Sequence, residues 1–309
     1  MSTTTSIKEE LNEKSGFQIW WRLLRPHTLT ASFIPVFVGT MFALTSHEIN
    51  LLLFFAMLLA SILIQSATNM FNEYYDFVRG LDNEQSVGIG GTIVRDGIAP
   101  KKVLGLALSF FGIAILLGVY ICMVSSWWIA VIGLICMLFG YLYTGGPFPI
   151  AYTPFGELFS GFFMGTVIIG ISYYIQTEVL TTSVIWMSVP VAILIGAIML
   201  SNNIRDLDGD KENGRKTVAI LLGRKNAVRF LAAMFIIAYL LTATYIFTGV
   251  LPIWSVLAFL SIIKAMDVIR KFRGKTKPLE MMPAMAATGK TNTLYGLLLG
   301  VSLLVSNFF

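Results

Sequence analysis

The sequence predicts an all-α, polytopic membrane protein with about nine transmembrane helices, and three observations carry that prediction. Of the 309 residues, 56% are hydrophobic and 13% charged, against roughly 25% charged in an ordinary soluble domain. The apolar residues gather into runs close to the roughly 20 that one bilayer crossing needs. All 22 Lys and Arg fall on one side of the membrane that these runs imply. Backbone groups in lipid must be satisfied within their own segment, so the runs are helices rather than open strands.

Taken in order, residues 1–16 are a polar lead. No short apolar stretch with a small-residue cleavage site precedes the spans, so no cleaved signal peptide is expected. The expected spans are 28–46, 49–77, 102–123, 126–143, 154–176, 183–203, 227–249, 251–269 and 291–308. The second runs into "NEYYDFVRGLD" (72–82) and the sixth into "SNNIRDLDGDKENGRK" (201–216). Between the second and third lies "GIGGTIVRDG" (88–97). It lacks the strand–turn–helix context of a nucleotide loop and reads as a flexible connection or a lid. Pro149 and Pro154 bracket a rigid turn before the fifth span. "KFRGKTKP" (271–278) reads as a basic loop facing lipid headgroups. Cys122 and Cys136 sit in separate spans without ligand spacing, and two histidines, His27 and His47, cannot build a histidine metal site.

The basic residues orient the chain. They cluster before the first span, in 79–102, in 205–229 and in 264–290, while the connections near 46–50, 123–126, 177–182 and 249–251 hold none. By the positive-inside rule, the N-terminus and the long polar connections are cytoplasmic and the C-terminus lies outside, in the cell membrane. The net charge of +5 therefore reads as topology and attraction to anionic lipid, not nucleic-acid binding.

Acids at membrane edges are costly enough to be functional candidates. Helical spacing stacks Asn72 with Asp76, Asn202 with Asp206, and Asp206 with Asp210. Gly80 permits the helix to end, so that Asp82 can return toward Asp76. Four carboxylates in one cavity repel unless cations sit among them, and oxygen donors that share a site with phosphates suit Mg²⁺. Arg79, Lys211 and Arg215 nearby make sense if an anion such as diphosphate completes the coordination. A plainer reading makes these residues polar caps, with Asp paired to Arg across the surface.

The pattern N-x-x-x-D-x-x-x-x-x-D (Asn72, Asp76, Asp82) with D-x-x-x-D (Asp206, Asp210) resembles the UbiA superfamily of intramembrane prenyltransferases. Four further stretches resemble its naphthoate-prenylating branch: "LLRPHTLTASFIPVFVGT" (23–40), "GGTIVRDG" (90–97), "YTGGPFPIAYTPFGE" (143–157) and "NNIRDLDGDKENGRKTVA" (202–219). The lysine that hydroxybenzoate relatives carry four residues after a tyrosine is missing here, since Pro147 follows Tyr143 at that spacing.

The resemblance implies a UbiA-like helical bundle over 17–309 as one domain. It implies transfer of a polyprenyl group from polyprenyl diphosphate to 1,4-dihydroxy-2-naphthoate, with loss of diphosphate and CO₂, giving demethylmenaquinol. Asp76, Asp82, Asp206 and Asp210 would hold Mg²⁺, with Asn72 and Asn203 as ligand or hydrogen-bonding partners. Arg79, Lys211 and Arg25 would bind the diphosphate. Tyr143 and Tyr75 would face the acceptor or the allylic cation. Other aromatic acceptors keep the same site. An ion-coupled transporter is the alternative of another class, and its acids would sit deeper within the spans.

Overall fold

The computed structural model describes residues 16–26, 28–82 and 91–308. The polar lead up to Ser15, His27 and residues 83–90, which include the start of the glycine-rich stretch, lie outside the described residues. No strand occurs among the described residues, and each expected span falls on helix. α1 covers Phe17–Leu23, α2 Thr30–Leu44, α3 Leu51–Val78, α4 Thr92–Asp96, α5 Pro100–Val124 and α6 Trp128–Leu142. After a short turn of 3₁₀ helix, α7 runs Gly156–Thr177. Then come α8 Thr182–Glu212, α9 Val218–Leu222, α10 Arg224–Phe247, α11 Ile262–Phe272 (reached through 3₁₀ helix from Ile253) and α12 Pro278–Ser306. Among the described residues, five helices are both long and apolar enough to cross a membrane: α3, α5, α7, α8 and α10. The chain is a multi-pass, all-helical membrane protein.

Helix length places the polar clusters. α3 has 28 residues and α8 has 31; at 1.5 Å per residue they reach about 42 and 46 Å. The hydrocarbon core is only about 30 Å thick, so each helix is longer than one crossing needs, and its last turns stay helical. Those turns carry Asn72 and Asp76 on α3, and Asn202, Asp206 and Asp210 on α8. The second cluster, which the sequence places at the mouth of a connection, is thus part of the helix itself.

Side-chain caps fix where α3 and α8 begin. Asn50 accepts from the backbone N–H groups of Leu52 and Leu53 at the start of α3, and Thr181 accepts from Val184 at the start of α8, each satisfying orphan donors. Close helix contact then depends on small residues, as is usual within membranes. A Cβ on Gly161 would stand 2.5 Å from the Ala192 carbonyl oxygen, and one on Gly165 would stand 2.5 Å from the Ala192 Cα. α7 adopts a π-helical stretch over Gly161–Val167 where it lies this close to α8.

Candidate active site

The ends of α3 and α8 meet through one arginine. Arg215 donates to Asp76 Oδ1 at 2.7 Å and to Asp210 Oδ1 at 3.0 Å, with all three side chains largely buried. Gly214, at φ 76°, makes the turn that brings Arg215 back, and the Arg215 N–H donates to the Asp210 carbonyl at 3.0 Å. Its guanidinium lies 5.2 Å from the Tyr152 ring centroid. Burial opposes the Arg215 charge, but Asp76 and Asp210 outweigh it and hold its pKa above the ordinary value.

A second glycine completes the α3 end. Gly80 has φ 74°, a left-handed conformation that costs glycine nothing. The Leu81 and Asp82 N–H groups both fold back onto the Asp76 carbonyl, at 2.9 and 3.2 Å. Asp82 therefore returns to the cluster. Burial first, and the nearby Asp76 charge second, raise its pKa to about 6, with Arg25 opposing. Arg25 sits at φ 52° on the cavity wall, and its Nε is buried without a hydrogen-bond partner. Asp206 is held bidentate by Arg205 at 2.7 and 2.5 Å.

Three sequence assignments fall differently in the structure. Asn203 turns away from the cavity and donates to Glu157 Oε1 at 2.9 Å. Asn202 takes the cavity wall instead, its Oδ1 buried and unpartnered. Lys211 is exposed on the outer side of α8, and Arg215 occupies the place between the acids. Arg79 donates to the Thr144 carbonyl and, at 2.7 Å, to the Gly146 carbonyl, so it ties α3 to the turn after α6. Asn72 joins the same strap by accepting from Thr144 Oγ1 at 2.7 Å.

The two tyrosines also part. Tyr75 shares a 2.8 Å hydrogen bond with Tyr141 in an aromatic cluster beside the cavity. Tyr143 lines the cavity, its hydroxyl 2.9 Å from Met199 Sδ. Next to it Phe139, Phe159 and Phe163 form a stack, with Phe139 and Phe163 centroids 4.5 Å apart and planes within 29°. Partners from α6 and α7 have no shared local spacing, so the sequence alone does not bring these three rings together. Glu73, wholly buried, accepts from Thr92 Oγ1 and from the Ile93 N–H at 3.0 Å, and Arg22 binds Asp96 at 3.0 Å. α4 is thereby strapped beside the site at both ends.

The fit of Mg²⁺ can be judged from these donors. Among the described residues, no three acids stand close enough to hold a metal by themselves. Mg²⁺ seldom needs such a cage, since it is held by one or two carboxylates with substrate phosphates and waters. Oxygen donors on two facing helices, and a buried unpartnered Asn202 oxygen, suit that mode. The buried Arg25 Nε beside them offers a donor to an anion. The Asp–Arg pairing of the plainer reading does exist, but it links the two clusters through largely buried side chains rather than lying on the surface.

A model of the UbiA prenyltransferase family matches residues 32–287. A 1,4-dihydroxy-2-naphthoate octaprenyltransferase of Bacillus subtilis (strain 168) is 56% identical over 296 residues, covering 96% of this chain and 95% of its own. Two solved structures share the fold. A UbiA homolog from Aeropyrum pernix K1 superposes with a TM-score of 0.67 at 15% identity, over 91% of this chain and 98% of its own. One from Archaeoglobus fulgidus, bound to GPP and Mg²⁺, has a TM-score of 0.66 at 18% identity, over 93% and 99%.

Proposed function

This chain belongs to the UbiA prenyltransferase family, and we propose that it prenylates 1,4-dihydroxy-2-naphthoate in menaquinone biosynthesis. A polyprenyl group leaves its diphosphate and joins the ring carbon that bears the carboxylate; CO₂ departs and the product is demethylmenaquinol. The observation that carries this reading is the 56% identity to a naphthoate octaprenyltransferase over nearly the whole chain. The cavity geometry supports the donor half of it, because one continuous space joins Arg25, Asn72 and Asn202 to an apolar interior.

Asp76, Asp82, Asp206 and Asp210 are the residues that would hold Mg²⁺. The ion, when bound, supplies Lewis-acid stabilisation of the departing diphosphate. Arg215 and Arg25 then bind diphosphate oxygens, Arg215 exchanging part of its hold on Asp76 and Asp210 for the anion. Asn202 and Asn72 orient the headgroup. Cleavage of the allylic C–O bond leaves a cation that water would quench, and the apolar cavity excludes water. Aromatic faces stabilise cations, and the Phe139–Phe159–Phe163 stack stands where the first prenyl unit would lie. Tyr143 offers a phenol to the acceptor. We place residues 17–309 in one catalytic unit, with the N-terminus and acid clusters cytoplasmic and the C-terminus outside; the one-sided basic residues support that orientation.

The test is competition. Purified protein receives equal 1,4-dihydroxy-2-naphthoate and 4-hydroxybenzoate with one prenyl diphosphate and Mg²⁺, and product masses and CO₂ are followed. Prenylated naphthoquinol with matching CO₂ is expected. Preferential prenyl-hydroxybenzoate without CO₂ would remove the naphthoate assignment and leave the prenyltransferase standing.

A further inference from the structure

Polar side chains continue along one face of α3 past the acid cluster. Asp76, Asn72, Asn69, Gln65 and Ser61 recur at three- and four-residue spacing, so they stack in a single row. From Asn72 inward, each of them lines the cavity. Beyond the row the walls are apolar, with Met57, Ile121 and Ile171. Amides this far along a membrane helix are costly unless something bonds them.

Every member of the row is engaged except for one end of one amide. Ser61 Oγ donates to the Ser32 carbonyl at 3.3 Å, and Asn72 Oδ1 accepts from Thr144. Asn69 Nδ2 donates to the Leu24 carbonyl at 2.9 Å and to Thr28 Oγ1 at 3.0 Å, which ties α3 to the connection between α1 and α2. Both Asn69 amide hydrogens are then used, so its Oδ1 is what meets Gln65, and Gln65 Nε2 donates to it at 3.3 Å. That bond turns Gln65 Oε1 away from Asn69. Among the described residues, Gln65 Oε1 has no hydrogen-bond partner. A glutamine that served only to join helices would bond a neighbouring helix; this one bonds only its own.

We propose that Gln65 binds the aromatic acceptor, its Oε1 accepting a hydrogen bond from the hydroxyl at ring position 4, and so selects 1,4-dihydroxylated acceptors. The inference rests on the naphthoate reading above. Its reach is right. Gln65 lies seven residues from Asn72, about 10 Å along the helix. The departing oxygen is one bond from the allylic carbon, which stands about 3–3.5 Å from the attacking ring carbon. The position-4 oxygen is three bonds beyond that carbon. From headgroup to hydroxyl the line measures about 8–9 Å, comparable with the separation along α3. Position 4 is meta to the carbon that receives the prenyl group, so this hydroxyl activates it little. The bond to Gln65 therefore fixes position rather than reactivity. Tyr143 lines the cavity from the end of α6, so the ring is held between a phenol and an amide.

The experiment compares 1,4-dihydroxy-2-naphthoate with 1-hydroxy-2-naphthoate, which keeps the activating hydroxyl and the carboxylate and lacks only the hydroxyl at position 4. Purified protein receives Mg²⁺, geranyl diphosphate and either acid, and kcat/KM is measured from product masses. The wild type should prefer the dihydroxy acid. In Gln65→Met, which keeps the length without the amide, that preference should fall about tenfold or more, the value of one hydrogen bond to a buried group. The loss should lie mostly in KM for the dihydroxy acid, with the monohydroxy acid little affected. Differences in intrinsic reactivity between the two acids cancel in the ratio. Gln65→Leu repeats the measurement should the Met variant fail to fold. Equal loss on both acids, an unchanged preference, or a wild type that does not discriminate would overturn the role of Gln65. A wild type that prenylates neither acid would instead remove the naphthoate reading, and this role with it.

Discussion

Replacing Arg215 with alanine should expose how the two acid clusters are held together before substrate arrives. Its guanidinium binds Asp76 at 2.7 Å and Asp210 at 3.0 Å, and the side chains are only 13%, 19% and 9% exposed. Removing one partner of a buried pair costs about 3–5 kcal/mol, because a carboxylate is left without compensation. Here two carboxylates would be left facing each other. The residual exposure lets water recover part of that cost, so the low end, about 3 kcal/mol, is the expectation. Thermal unfolding in detergent should show a clearly lowered midpoint without Mg²⁺. Added Mg²⁺ should raise the midpoint more in the variant than in the wild type, because a divalent cation replaces the missing charge and stabilises by mass action. Turnover should fall roughly a few hundred-fold, the loss of about 3–4 kcal/mol expected when one preorganised charge on the leaving group is removed. Lys211→Ala is the contrast: exposed as it is, its change should stay within about 0.5 kcal/mol. An Arg215→Ala protein that melts like the wild type without Mg²⁺ would refute the bridging role.

Three further outcomes follow from the same geometry. Asp206→Asn should remain in the membrane yet lose roughly a few hundred-fold in turnover at saturating prenyl diphosphate; near-normal product by mass spectrometry would count against the two-cluster site. Because burial raises the Asp82 pKa to about 6, protons compete with Mg²⁺ below that pH, and the Mg²⁺ needed for half-maximal rate should climb as pH falls through 6. The sign for the metal-free protein is opposite: an acid raised on folding binds its proton more tightly in the native state, so Asp82 adds stability as pH falls from about 6 toward 4. Lys275→Cys, made after replacing Cys122 and Cys136, should react with an impermeant thiol reagent only in inside-out vesicles; labelling on intact cells would reverse the orientation.

Local sequence determined the class of this protein and the raw material of its site. Long apolar runs demand helices in lipid, and four-residue spacing puts Asn72 with Asp76 and Asp206 with Asp210 on common faces. Those features depend only on neighbours along one helix, so they are visible before folding. Tertiary structure decided which way each face looks. Adjacent residues on a helix point about 100° apart, and the roll of α8, fixed where Gly161 and Gly165 let α7 approach Ala192, turns Asn202 into the cavity and Asn203 toward Glu157. Arg215 reaches Asp76 across 139 positions of sequence, a pairing that no local pattern encodes. Arg79 sits as near to Asp76 in sequence as any cation does, yet it spends its donors on the carbonyls of Thr144 and Gly146. Spacing along the chain identifies charges that can share a place; only the packing of helices far apart in sequence chooses which of them do.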